Sequence, residues 1–224
     1  MEWQVTDLQN LALIDRELSD TAFAPAEYEI LRRVIYETVD CDYQSLIRFS
    51  EGALQASAIA LANQAPIIVD VPMVMAGIAP TLYPTFANPV YCSLDVIPAS
   101  PSNDPPVVVG IQTLARNHPQ GIFVIGQSHP ALTALVELIE EEEIQPALVI
   151  GTPAGFLGAD VAKARLRDSL VSYITINGRK GNAIVAVTIF NALVDLAWLV
   201  YQEHERNSAD ATTISNPVDN PIFE

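Results

Sequence analysis

Three apolar runs in the second half of the chain, each followed by a glycine-containing loop and a helical pattern, constrain the fold most. Ile122 to Ile125 leads into Gly126-Gln127-Ser128-His129-Pro130 and a helix over Ala131 to Glu143. Ala147 to Ile150 leads into Gly151-Thr152-Pro153-Ala154-Gly155-Phe156-Leu157-Gly158 and a helix over Asp160 to Leu170. Tyr173 to Ile176 leads into Gly178-Arg179-Lys180-Gly181-Asn182 and a helix over Ala183 to Tyr201. Short β-branched runs alternating with helices predict an α/β fold whose parallel sheet is covered on both faces.

The first half supplies helices and two more strands. Leu8, Leu11, Ile14 and Leu18 share one helical face. Pro25 suits a first helical position ahead of Ile30, Leu31, Val34 and Ile35. Ser50, followed by Glu51, is placed to cap an alanine-rich helix over Ala53 to Ala62. Ile67 to Val71 reads as a buried strand and Val90 to Cys92 as another. Residues 98 to 106 hold four prolines and form a loop; Val107 to Asn117 reads as a helix, with a strand left open at its start. From His204 the chain turns polar. One domain over residues 1–203 and a disordered tail over 204–224 are expected.

Charge narrows the function. The chain of 224 residues carries a formal net charge of -16, which disfavours nucleic acid and anionic membranes as partners. Lys163 and Lys180 are its only lysines, so an anionic ligand must rely on a few local cations and on backbone N–H groups at helix starts. No apolar run reaches the ~18 residues of a membrane span. Ala183 to Val200, interrupted by Asn191 and Asp195, reads as a buried amphipathic helix. The acidic N-terminus, with Glu2, Asp7 and Asp15, lacks a signal peptide's basic start, so a cytoplasmic protein is expected. Cys41 and Cys92 read as buried free thiols, and with three histidines no metal centre is expected. Glu140 to Glu143 reads as a solvated surface, although its charges oppose the dipole of the helix they end.

The three glycine loops should gather at the carboxyl edge of the sheet, where open α/β folds bind ligands. The candidate ligand-contacting residues there are Gly126, Gln127, Ser128, Thr152, Gly155, Arg179, Lys180 and Gly181. Arg179 and Lys180 sit between glycines just before an apolar helix, where positive charge conflicts with the helix dipole and an anionic ligand would relieve it. An ordinary exposed turn explains the same residues. Asp70, ending the first strand, either meets this edge or caps the segment after Pro72. His129 is the histidine placed in a site loop. The second loop lacks the Gly-x-Gly-x-x-Gly spacing, and Asn182 stands where a P-loop needs Ser or Thr.

These segments, in this order, resemble the precorrin-8X methylmutase family, also called cobalt-precorrin-8 methylmutase. The resemblance lies in Arg32-Arg33-Val34-Ile35, Arg48-Phe49-Ser50-Glu51-Gly52-Ala53, Val69-Asp70-Val71-Pro72-Met73-Val74 with Gly77-Ile78, Pro146 to Gly158 with Lys163, and Gly178-Arg179-Lys180-Gly181. It spans roughly residues 5 to 202. It implies a homodimeric three-layer α/β/α fold with a mostly parallel sheet, no added cofactor, and a methyl shift from C11 to C12 of a corrin precursor, giving hydrogenobyrinate. That polycarboxylate substrate would be held by Arg179 and Lys180.

Two positions depart from the family. Its usual histidine, thought to protonate the macrocycle, follows the arginine–isoleucine segment; here Tyr36 stands there, in Ile35-Tyr36-Glu37-Thr38. Its Gly-Asn-Ala-Pro-Thr-like loop is here Gly126-Gln127-Ser128-His129-Pro130. An imidazolium with pKa ~6.5 is a stronger acid than a phenol at ~10 by about 5 kcal/mol. Three outcomes follow: Tyr36 suffices as a hydrogen-bond donor, His129 acts from the opposite loop, or the chain binds corrinoid without turning it over. An unrelated α/β protein that binds a small phosphate compound is a third reading of the function, after methylmutase and corrinoid binder.

Overall fold

The structure is a computed structural model that describes residues 5–18, 22–97 and 103–214. Its centre is a six-stranded sheet in the order β1-β6-β5-β4-β2-β3. The strands are β1 (Ile47–Phe49), β2 (Ile67–Val69), β3 (Val90–Cys92), β4 (Ile122–Ile125), β5 (Leu148–Gly151) and β6 (Tyr173–Ile176). All pairs are parallel except β1 with β6, whose register sets Ile47 against Ile176 and Phe49 against Ile174.

Both faces of the sheet are buried, and strand periodicity divides its side chains between two cores. Ile122, Val124, Leu148, Ile150, Ile174 and Ile176 point to one face. There they meet helices α2 (Pro25–Thr38), α4 (Ala53–Ala62), α5 (Pro72–Leu82) and α9 (Ala183–Ile214). Phe123, Ile125 and Val149 point to the other. That side is covered by α6 (Pro106–Asn117), α7 (His129–Glu140) and α8 (Ala159–Asp168). The three-layer arrangement expected from the alternating pattern is the one observed. Helix α1 (Val5–Glu17) packs on α2, and a single turn, α3 (Tyr43–Leu46), leads into β1.

Helix α9 is the hub of the first layer. By length and composition Ala183–Arg206 could cross a membrane. Instead Val185, Ala186, Ile189, Phe190 and Val194 are buried against the sheet and against α2, α4 and α5. The two polar residues that interrupt it reach its neighbours, although the buried Asn191 Oδ1 has no partner among the described residues. The Asn191 amide donates to the Gly77 carbonyl at 3.1 Å, and Asp195 pairs with Arg33 at 2.6 Å.

Several local expectations are corrected. Ser50 does not cap α4: its hydroxyl accepts the Tyr173 N–H at 2.8 Å, extending the β1–β6 pairing, and Gly52 at φ 72° is the cap. Asp70 does not cap α5, whose N-cap is Val71. Helix α7 ends at Glu140, because Glu142 turns the chain at φ 57°. The glutamates there are answered by basic neighbours, Glu140 by Arg165 at 2.6 Å and Glu143 by Arg116 at 2.8 Å. The polar stretch from His204 does not end α9, which continues to Ile214. Extending a formed helix adds one bond per residue fixed, and Glu203, Glu205, Arg206, Ala209 and Ala211 suit it. Residues 215–224 of the expected tail, and 98–102 of the expected proline loop, lie outside the described residues. Cys92 is buried, but Cys41 is exposed on the loop after α2.

That loop begins with an unusual residue. Val39, the C-cap of α2, sits at φ 52° with its side chain 91% exposed. A β-branched residue there carries about 1–2 kcal/mol of left-handed strain, and its exposed side chain supplies little packing in return. Val39→Gly is expected to raise the melting temperature by about 1–4 °C, after its larger unfolded-state entropy is subtracted. An unchanged or lower melting point would show that the strain is absent.

Candidate active site at the carboxyl edge of the sheet

From β2 the chain goes outward to β3, whereas from β4 it goes the other way, to β5 and β6. The crevice between the carboxyl ends of β2 and β4 is therefore the topological switch point, the usual ligand position in such sheets. Here a side chain of the protein fills it. Asp70, 0% exposed, accepts the backbone N–H groups of Gly126, Gln127 and Ser128 at 3.2, 2.7 and 2.7 Å. Burial raises its pKa above the usual carboxylate value, although these three bonds pull the other way. The N–H groups expected to receive a ligand's anion thus already hold one. Asp70 shapes the loop before α7, and Gly126, Gln127 and Ser128 serve the fold with their amides. The Ser128 hydroxyl caps α7 by accepting the Ala131 N–H at 3.2 Å.

The basic turn between β6 and α9 is fixed from behind. The Arg179 carbonyl accepts the Gly155 N–H at 3.2 Å, and the Asn182 carbonyl accepts the Thr152 hydroxyl at 3.1 Å. The Lys180 carbonyl accepts the Lys163 ammonium at 2.8 Å. Gly181, at φ 128°, rests directly on the Thr152 carbonyl, where no side chain fits. Thr152, Gly155 and Gly181 are thus brought together as a scaffold for the turn. Arg179 is exposed, with its guanidinium carbon 5.9 Å from the Phe156 ring centroid. Phe156 itself is 82% exposed, so the pair presents a cation beside an open apolar face.

Lys180 differs from expectation. Its ammonium lies 2.6 Å from Asp40 and 2.7 Å from Asp42, which follow α2. These bonds raise its pKa and hold Asp40 below the ordinary carboxylate range. Two acids already answer this cation, so it ties the end of α2 to the basic turn rather than standing open to a ligand.

Tyr36 lies on the last turn of α2, in a 430 Å³ groove with Asn10, Leu13, Glu17, Val39 and Cys41. Its hydroxyl donates to Asp7 at 2.7 Å. That bond raises the phenol's pKa and makes it a poorer acid than a free tyrosine. The neighbouring Glu37 and Arg33 line a second groove of about 270 Å³, between α2, α5 and the start of α9, with Met73 and Ile184 on its walls. Arg179 and Lys180 are not among the residues lining it. His129 is elsewhere on the rim: it opens α7, and its ring lies against Gly158 and close to Gly155. The structure joins Tyr36 to the basic turn through Asp40 and Lys180, and joins His129 to it through Gly155.

Residues 7–196 match the sequence profile of the precorrin-8X methylmutase family. This chain belongs to that family. A cobalt-precorrin-8 methylmutase of Synechocystis sp. is 36% identical over 205 residues, 85% of this chain and 94% of that one. A precorrin-8X methylmutase of Pseudomonas aeruginosa is 36% identical over 193 residues, 83% and 91% of the two chains. The crystal structure of the precorrin-8X methylmutase from Thermus thermophilus superposes with a TM-score of 0.76 at 32% identity, covering 86% of this chain and 95% of that one. The family resemblance read from the sequence is thereby shown, together with the α/β fold.

As a precorrin-8X methylmutase family member, the chain holds three site-shaping residues that its sequence did not announce, Asp7, Asp40 and Asp42, and a fourth, Lys163, that was named there without a role. Lys163 had a visible signal. With Ala159, Ala162 and Leu166 it falls on the buried face of α8, and a lone charge at helical spacing among apolar residues marks a position with a task. Asp7, Asp40 and Asp42 had none, because their partners lie 29 to 140 residues away. Among the described residues no group of three or more His, Cys, Asp or Glu side chains is arranged to hold a metal ion.

Proposed function

We propose that this chain is a methylmutase that moves a methyl group from C11 to C12 of a corrin precursor, an isomerase of cobalamin biosynthesis. The observation that carries the reading is the rigid basic turn at the sheet edge of a chain whose residues 7–196 match the family. In this reading Arg179 meets a peripheral carboxylate of the macrocycle, with two parallel hydrogen bonds available to its guanidinium. Phe156 lies beside the ring. Lys180 holds the end of α2, and with it Tyr36, against the turn. The methyl carbon breaks its bond to C11 and forms one to C12, so nothing is added or lost. A donor at the macrocycle is the protein's chemical contribution. The test is incubation of the purified chain with precorrin-8X or with cobalt-precorrin-8. The expected result is a product of unchanged mass with a new absorption spectrum and a shifted methyl resonance.

Tyr36 keeps a second reading open, a corrinoid-binding protein that does not turn its ligand over. The Tyr36 hydroxyl already donates to Asp7, and the raised pKa weakens it further as an acid. Tyr36→His is expected to raise turnover by about tenfold or more, since the exchange recovers several pKa units of acidity. Product titration separates the readings: binding without turnover by the unaltered chain favours the second. If His129→Ala abolishes activity while Tyr36→Phe does not, the acid sits on the opposite loop. The methylmutase reading also carries a cytoplasmic homodimer, for which the exposed Met73 and Ile184 beside the rim supply apolar surface. Sedimentation equilibrium gives the assembly state.

A further inference from the structure

We infer that Lys163, and not Lys180, is the lysine whose charge serves the substrate, as a positioning residue behind the basic turn. The inference rests on the methylmutase reading and names a further residue for it. The chain has two lysines, and only Lys180 belongs to the turn itself. That ammonium is answered twice over by Asp40 and Asp42, so it adds no net positive charge to the rim.

Lys163 is the reverse case. It is 1% exposed on α8, and its ammonium donates to the Lys180 carbonyl at 2.8 Å. Among the described residues no carboxylate forms an ion pair with it. Asp160, one turn earlier, attracts it and Arg167 repels it; burial dominates both and lowers its pKa to about 8. Keeping an ammonium there without a carboxylate works against stability. A methionine would fill the same volume among Ala159, Ala162 and Leu166. It would shed the buried charge but leave the Lys180 carbonyl without its donor, so packing alone gives no reason for a lysine at this place.

What the lysine does, and methionine cannot, is hold the turn and charge it. With Gly155 and Thr152 holding the Arg179 and Asn182 carbonyls, Lys163 draws the third carbonyl inward. The backbone is thereby anchored on its inner side, and the Arg179 guanidinium is left outside next to Phe156. The charge of Lys163 lies beneath the turn in a medium of low dielectric, where water screens it less than an exposed cation, while its field on a ligand at the open rim still passes through salt solution. A polycarboxylate resting on the turn would feel it.

The test uses the full chain with Lys163→Met and Lys163→Gln, measuring kcat, KM, the dependence of KM on salt, and the melting temperature. Lys163→Met is expected to raise KM about tenfold and leave kcat within about threefold. Its KM should rise less steeply with salt than that of the unaltered chain. Its melting temperature should stay within about 3 °C of the original, the relief of the buried charge offsetting the lost hydrogen bond. Lys163→Gln keeps a donor and drops the charge, so it should recover part of the KM and none of the salt dependence. An unchanged KM in Lys163→Met, or a fall in melting temperature of more than about 3 °C with the salt dependence intact, overturns the proposal. So does a failure of both variants to fold, which would make Lys163 purely structural. If the unaltered chain neither converts nor binds the corrin precursor, the methylmutase reading has failed, a separate outcome.

Discussion

Gly181→Ala should lower the melting temperature by about 6–20 °C and remove turnover. At φ 128° an L-residue is strained before any contact is considered. An added Cβ would also lie 2.2 Å from the Thr152 carbonyl oxygen and 3.0 Å from its carbon. Neither neighbour is a flexible side-chain end. Thr152 is buried, and its N–H is committed to the Ile125 carbonyl at 2.9 Å. Either β5 or the turn must therefore yield. Backbone strain and overpacking at about 1–3 kcal/mol each give roughly 3–5 kcal/mol in all. For a chain of this size each kcal/mol is about 2–4 °C. Differential scanning calorimetry checks the first half of the prediction and the methylmutase assay the second. A melting point within about 2 °C of the original would mean that the turn does not rest on Thr152.

The second large effect is expected from Asp70→Asn, at about 2–4 kcal/mol of lost stability near neutral pH. The carboxylate accepts three consecutive backbone N–H groups in a fully buried position. An amide has one acceptor oxygen, and its NH2 would face donors. Acid should change the gap in a defined direction. The folded pKa of Asp70 lies above its unfolded value of ~3.9, so the folded state takes up the proton first. The additional, proton-linked stability from this group is then fully present below the unfolded value and lost as pH rises through the folded one. The difference between the two proteins should widen as pH falls toward 4. Asp40 and Glu140, whose pKa values are lowered, titrate alike in both and cancel from the difference. Urea titrations at several pH values measure it, and a gap that narrows in acid would contradict the buried carboxylate.

The sheet was legible because each strand is a local pattern. Ile122 to Ile125 and Tyr173 to Ile176 carry their burial in their own β-branched composition, and the structure places them as read. β1 was missed because Ile47, Arg48 and Phe49 form no apolar run; they become a strand only because Tyr173 to Ile176 offers them an edge. Ser50 was misassigned as a cap, and the cap offered as one alternative for Asp70 failed, for one reason: each spends its oxygens on backbone from a distant element, on Tyr173 in one case and on Gly126 to Ser128 in the other. The site divided in the same way. Thr152, Gly155, Arg179 and Gly181 follow from loops at strand ends, a local feature. That Lys180 is answered by Asp40 and Asp42 is a tertiary fact, and nothing in the spacing of those residues announces it.

The pairing of β1 with β6 also governs how the chain can be made. Ile47 to Phe49 leave the ribosome long before Ile174 to Ile176, and α9, against which α2, α4 and α5 pack, comes later still. The amino-terminal helices must wait for most of translation with their apolar sides uncovered. A nascent chain arrested ahead of α9 would hold β2, β4 and β5 with one face covered only in part, by α4 and α5. Such intermediates should need a chaperone, whereas the completed chain should not.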